Sequence, residues 1–322
     1  RSSTGPGGWW RPVGRRARSA ASRSIPPVTS ARGTTATTDD RRGFWAGGVP
    51  VTSAEPRPVL DESDALRLLR SGEFELEGRL ADASNTTLRG LITLDGVTAR
   101  CVYKPVRGER PLWDFPDGTL AGREVSAYLV SRATGWDLIP PTVLRDGPFG
   151  PGACQLWIDE PTEAEPLVGF VPAASLPPRW HQIAAARDDD GAPYLLAHAD
   201  DPRLARLAVL DAVLNNADRK GGHVLLGPDD RIYGVDHGVC FHVDDKLRTV
   251  LWGWSGRPLP ADAIEMLERL AEALDDGLGA ALGEHLTRRE VTVTGQRIAR
   301  LLARQTFPEP SAEWPAMPWP PI

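Results

Sequence analysis

The stretch "ADRKGGHVLLGPDDRIYGVDHG", residues 217–238, decides how this chain is read. Two short apolar runs, "HVLL" and "RIYGV", flank the turn "GPDD", so the chain folds back on itself as a hairpin. Antiparallel strands return the chain to its start. Asp218 stands just before the hairpin and Asp236 just after it, so the two acids face one space. Two carboxylates held together near neutral pH repel, and the arrangement is costly unless a cation or a shared proton lies between them.

Outward from the hairpin the pattern is regular. "EFELEGRL", "LRGLITL" and "TARCVYKP" alternate as three antiparallel strands, the third carrying Lys104 just before Pro105. "TLAGREVSAYLVSRAT" starts on Thr119 as N-cap and repeats Leu120, Val125, Tyr128 and Leu129 at helical spacing, with Glu124 in its second turn. Pro140 and Pro141 stop that helix, and "TVLRDG" and "ACQLWI" supply two more strands. A polar, Pro-rich connector follows. "DPRLARLAVLDAVLNNA" then places Pro202 in a first turn and Leu204, Leu207, Leu210, Val213 and Leu214 on one buried stripe. "ADAIEMLERLAEAL" and "QRIARLLARQ" are further amphipathic helices. The fold class is therefore α+β and two-lobed, with an antiparallel N-lobe sheet and a mainly helical C-lobe.

Composition sets the limits. The chain has 322 residues, 41% hydrophobic and 25% charged, which is neither a disordered nor a membrane composition. No run of 18 or more apolar residues exists, so no transmembrane segment is expected. Ten arginines against three acids put residues 1–60 at +7 and the remainder at −13, which excludes the body as a nucleic-acid platform. Residues 1–60, rich in Arg, Ser, Gly and Pro, read as a disordered extension: a solvated tail, or translated upstream sequence, since residue 1 is not Met. Residues 61–160 read as the N-lobe, 161–306 as the C-lobe and 307–322 as a Pro/Trp-rich tail that packs on the body or hangs free. Three scattered cysteines give no disulfide framework and fit a reducing, cytoplasmic setting.

Phosphoryl transfer supplies the cation that two acids need. It requires a sheet lysine for the phosphates, a helix glutamate to hold that lysine, a loop aspartate to orient the acceptor hydroxyl, and a metal-binding aspartate with a second ligand. Lys104, Glu124, Asp218, Asp236 and His223 are the candidates, in kinase order along the chain.

"ADRKGGHVLL" with "GVDHG" resembles the catalytic and metal-binding loops of phosphatidylinositol 3- and 4-kinases and related atypical kinases, whose loops run Asp-Arg-His-x-x-Asn and Asp-Phe-Gly. The stretch from about Glu73 to Gln305 is similar to an actinobacterial family related to those lipid kinases. The resemblance implies a protein-kinase-like fold using ATP and Mg²⁺ or Mn²⁺, with Asp218 as the catalytic acid, Asp236 as a metal ligand and Lys104 paired with Glu124. It also suggests Ser84, Asn85 and Thr86 as a phosphate-facing turn, and Leu156 and Trp157 as the hinge that lines adenine. Lys220 stands where the lipid kinases carry His, so it joins the catalytic set. His223 stands where they carry the metal-binding Asn, and imidazole is the softer ligand, which favours Mn²⁺ over Mg²⁺. His237 replaces the Phe.

The acceptor is an unidentified hydroxyl on a lipid, small molecule or protein. Nucleotidyl transfer and a nucleotide-binding pseudokinase scaffold are the alternatives. A zinc site among His223, His237 and His242 is disfavoured, because Cys240 is the one nearby thiol and the hairpin already explains the clustering. Trp252 and Trp254 are equally core or substrate contacts.

Overall fold

The computed structural model describes residues 60–80 and 85–322. The extension up to residue 59 and Ser84 lie outside the described residues. Helix α1 (Glu62–Ser71), capped by the Asp61 side chain, leads into strands β1 (Glu73–Arg79), β2 (Leu88–Leu94) and β3 (Val97–Pro105). Helix α2 (Leu120–Thr134) separates them from β4 (Thr142–Gly147) and β5 (Gly150–Leu156). The five strands form one antiparallel sheet in the order β1-β2-β3-β5-β4. Helix α1 falls in a stretch that strand alternation and turn signals assign to no element, although its buried Ala65, Leu66, Leu68 and Leu69 carry helical spacing.

Helix α2 begins as its sequence requires: the Thr119 hydroxyl accepts from Gly122 N at 2.9 Å. It ends on Gly135 at φ +70°, a left-handed cap that a β-carbon would strain. Its burial is nearly all round, so Arg123, Glu124, Ser126 and Ser131 are enclosed along with its apolar residues. Enclosed charge needs partners. Arg123 donates to the Glu290 carboxylate at 2.5 Å and to the Cys240 carbonyl at 2.8 Å, which fastens α2 to the helical half.

Residues 161–200, a connector by sequence, contain a second antiparallel sheet: β6 (Val168–Pro172), β7 (Trp180–Arg187) and β8 (Pro193–Ala199), in the order β6-β8-β7. Prolines at the ends of β6 and β8, and a register shift at Gln182/Ala184, break the alternation that reveals a strand. Helix α3 (Pro202–Leu214) follows, with Pro202 in its first turn and Asp201 as cap. Strands β9 (Val224–Leu226) and β10 (Ile232–Gly234) pair antiparallel as the anticipated hairpin. Helices α4 (Ala261–Ala273), α5 (Gly279–Leu282) and α6 (Arg288–Arg304) complete the helical half.

One apolar core runs through both halves, from Leu69, Ile92 and Val143 to Leu204, Leu207, Leu210, Met266 and Leu270. Leu207 is fully buried, so Leu207→Ala would cost about 2–5 kcal/mol. The C-terminal stretch packs on the body: Ala316 O accepts from Thr249 N at 3.1 Å and from Trp252 Nε1 at 2.8 Å. Trp252 and Trp254 are core residues, while Trp319 is exposed. Among the described residues no helix is long and apolar enough to cross a membrane.

Candidate active site

The hairpin geometry carries the site. Because β9 and β10 pair with Val224 opposite Gly234, His223 O accepts from Val235 N at 3.0 Å, and the residues just beyond come together. His223 Nε2 lies 3.4 Å from Asp236 Oδ2. On the other side of the seam, strand β3 presents Lys104 and helix α2 presents Glu124. Lys104 Nζ donates to Glu124 Oε1 and, at 2.8 Å, to Asp236 Oδ1. Glu124 Oε2 accepts from His237 N at 3.0 Å. Three elements far apart in sequence are thus joined through one ammonium.

Asp236 takes φ +60°, a left-handed conformation that a non-glycine residue holds only when its surroundings enforce it. Here Glu124 fixes the following amide and Lys104 fixes the carboxylate. The Asp236 side chain is 47% exposed, whereas that of Glu124 is 3% exposed, so Asp236 is the acid that solvent or a ligand can reach.

The charges follow from burial and neighbours. Burial would lower Lys104, but Asp236 and Glu124 beside it raise it well above its ordinary value, so it stays an ammonium. Burial would raise Asp236, yet the Lys104 ammonium holds it well below the usual carboxylate range. Glu124 is raised by burial against the pull of Lys104. Burial takes the His223 imidazole down to about 4, leaving it neutral at pH 7.

Asp218 stands on the loop between α3 and β9. Its N–H donates to Asn216 Oδ1 at 3.0 Å, and its carboxylate lies 3.3 Å from Lys220 Nζ. Burial pushes the Asp218 carboxyl up to about 6, with Lys220 opposing and Asp236 reinforcing the shift. That coupling joins the acids at the two ends of the hairpin. A carboxylate poised near neutrality suits an acceptor of a hydroxyl proton.

Arg219 does not pair with Asp218. It is fully buried, bonded through Nε and Nη2 to Asp211 at 2.8 and 2.9 Å. Nη1 reaches the carbonyls of His223 and Val235 at 3.1 and 2.8 Å, and Nη2 lies 2.6 Å from His237 Nε2. One guanidinium therefore ties helix α3, both ends of the hairpin and the residue after Asp236 into one piece. Asp211 and Asn216 escape a motif reading, and the motif that contains Arg219 does not reveal its partners; the available signal is an acid, Asp211, among the apolar residues of α3.

The remaining candidates are held by local backbone contacts. Asn85 Oδ1 accepts from Arg110 N at 2.8 Å and Thr86 N donates to Gly108 O at 3.2 Å, so this turn packs against the segment after β3. Leu156 N and Trp157 N donate to Pro141 O and Arg100 O at 2.9 and 3.0 Å, which leaves side chains and carbonyls, not these amides, to meet a base. A narrow gap of about 160 Å³ lies between Lys104, Glu124, Val102, Thr142, Ala153 and Gln155. A larger cavity, about 720 Å³, opens by α1 around Arg67, Arg70 and Arg132 and holds no candidate residue.

Asp236 Oδ2 and His223 Nε2 have the spacing of neighbouring ligands on one cation, and the exposed side of Asp236 leaves room for others. Among the described residues no three His, Cys, Asp or Glu side chains are grouped to hold a metal. A Mg²⁺ or Mn²⁺ held here would fill its shell with phosphate oxygens and water, as these ions do beside nucleotides. For His223 to ligate, its proton must sit on Nδ1, at the expense of a weak 3.5 Å contact from Lys220 N.

The fold and site together define an α+β chain with a lysine–glutamate–aspartate cluster at the seam between an antiparallel sheet and a helical half. The chain belongs to the family of Protein Rv2133c from Mycobacterium tuberculosis, to which it is 48% identical over 265 residues, covering 80% of this chain and 95% of the relative. No protein-family model matches it. Among solved structures it is similar to hydra Fam20 with sugar (13% identity, TM-score 0.49, 82% of this chain and 93% of that one). The Golgi casein kinase with Mn/ADP bound (14%, 0.47, 76% and 75%) and the Helicobacter pylori proinflammatory kinase CtkA (11%, 0.39, 74% and 94%) are further neighbours.

Proposed function

We propose that this chain is a kinase-like phosphotransferase that uses ATP and a divalent metal to phosphorylate a hydroxyl acceptor. The observation that carries the reading is the single ammonium of Lys104 shared by Glu124 of α2 and Asp236 beyond the hairpin. A buried helix glutamate that holds a sheet lysine gives that lysine a fixed direction and a permanent charge, which is what a polyphosphate requires. Asp236 and His223 would hold the metal, which supplies neutralisation of phosphate charge. Lys220 beside Asp218 would meet the charge on the transferred group. Asp218, raised to about 6, would take the proton of the acceptor hydroxyl. Asn85 and Thr86 would cover the phosphates, and Leu156 and Trp157 would flank the base.

Parallel incubations with γ-labelled and α-labelled ATP, each with Mg²⁺ or Mn²⁺ and a host lysate, test the reading. Transfer of the γ label alone is the expected result. Transfer of the α label would replace it with nucleotidyl transfer, and ATP binding without any transfer would replace it with a scaffold.

A further inference from the structure

Beside Asp218 lies a cation that none of the parts above uses. Arg248 runs alongside the candidate catalytic loop: its N–H donates to Asn216 O at 2.9 Å and its carbonyl accepts from Arg219 N at 3.0 Å, so its backbone brackets Asp218. Its guanidinium carbon lies over the Trp314 ring, 5.3 Å from the ring centre, and the Lys246 ammonium lies over the same ring at 4.7 Å. Among the described residues that guanidinium makes no ion pair and no hydrogen bond, and its buried Nε is left unsatisfied. Other arginines of this half contrast with it. Arg219 is saturated by Asp211 and three further groups, and Arg300 and Arg297, the latter with Nη1 also unsatisfied, face Asp245. The Arg248 charge also counts among those that draw the Asp218 carboxyl down, which agrees with its place at the loop.

A guanidinium packed over an indole is restrained in position, and it offers parallel N–H donors that match the two oxygens of a phosphate or carboxylate. Its buried Nε lacks an acceptor, which is unfavourable unless water or a ligand completes it. We infer that Arg248, backed by Trp314, forms an oxyanion subsite next to Asp218, and that the acceptor carries a phosphate or carboxylate close to the hydroxyl that is phosphorylated. This inference deepens the phosphotransferase reading and rests on it for the identity of the ligand as an acceptor. The anion site itself rests on Arg248 and Trp314.

Titration of the intact chain with inorganic phosphate, with no nucleotide present, tests the subsite directly. Wild type and Arg248→Gln are compared, because phosphate held at the nucleotide position would bind both alike and only the Arg248-dependent part reports the subsite. Arg248→Gln should bind at least about tenfold more weakly, the loss expected for a charge-assisted fork. Arg248 makes no side-chain hydrogen bond, so Arg248→Gln loses only the Trp314 contact and should melt within a few degrees of wild type; Arg248→Lys, which keeps the charge and loses the fork, serves as the second variant and should bind weakly too. Phosphate bound equally by wild type and both Arg248 variants overturns the subsite, as does a wild type that binds none. Glycerol 3-phosphate and vesicles containing phosphatidylglycerol then separate a soluble anion from a lipid headgroup. A preference for either that disappears in Arg248→Gln supports the site. If wild type transfers no γ-phosphate to any acceptor while Arg248-dependent phosphate binding persists, the phosphotransferase reading falls and the anion site stands.

Discussion

Arg219 and Asp211 meet side on, two nitrogens to two oxygens, with neither side chain exposed at all. The pair lies beneath the candidate site and also carries the carbonyls of His223 and Val235. Removing one partner of a buried pair strands the other charge, which costs about 3–5 kcal/mol. Asp211→Ala should therefore lower the melting temperature by roughly 10 °C. A variant that melts within a degree or so of wild type would show that the pair does not hold the loop and hairpin together.

Asp236 presents the opposite case. Its side chain is half exposed and lies outside the apolar core, so Asp236→Asn should fold and melt close to wild type. The substitution removes the negative charge that faces Lys104 and His223, and metal-dependent ATP binding should disappear. A variant whose ATP affinity still rises with Mn²⁺ to the wild-type value would take Asp236 out of the site.

His223 sits 3.4 Å from Asp236 as a neutral imidazole, a borderline-soft donor facing a hard one. His223→Asn substitutes a carboxamide oxygen, which suits Mg²⁺ better. The ratio of activity in Mn²⁺ to activity in Mg²⁺ should fall. An unchanged ratio would count against His223 as a ligand.

The sheet, the α2 cap at Thr119, the Pro202 start of α3 and the β9–β10 hairpin are legible because each rests on contacts within a few residues: alternation, a cap, a fixed proline φ. Lys104, Glu124, Asp218 and Asp236 are legible as an ordered set, since a chemistry with known parts arranges them. What the sequence hides depends on distant partners. Strands β6 to β8 have broken alternation and are stabilised by one another, not by local pattern. Arg219 looks like a loop arginine until α3 brings Asp211 beneath it. Arg248 looks like any surface cation until Trp314, 66 residues on, covers its face.

Asp218 separates chemistry from structure most sharply. A loop carboxylate that accepts a hydroxyl proton acts in the transition state, so Asp218→Ala should reduce turnover by ~10²- to 10⁴-fold while ATP affinity and melting temperature stay near wild type. Its side chain is a third exposed and its partner Lys220 lies at 3.3 Å, an arrangement that contributes little to stability. The pH behaviour adds an independent sign. Burial raises this carboxyl to about 6 in the folded protein, so between about pH 4 and 6 the folded state holds its proton more tightly than the unfolded chain does. Any stability from this group is present below about pH 4 and lost as pH rises through 6. Activity should move the other way, because only the carboxylate accepts a proton: kcat/KM rises through a midpoint near pH 6 and levels off above it. Asp218→Asn should abolish that rise in whatever activity remains and flatten the stability slope over the same interval. A variant that keeps wild-type turnover, or an unchanged acid limb in the pH profile, would assign the proton transfer to another group.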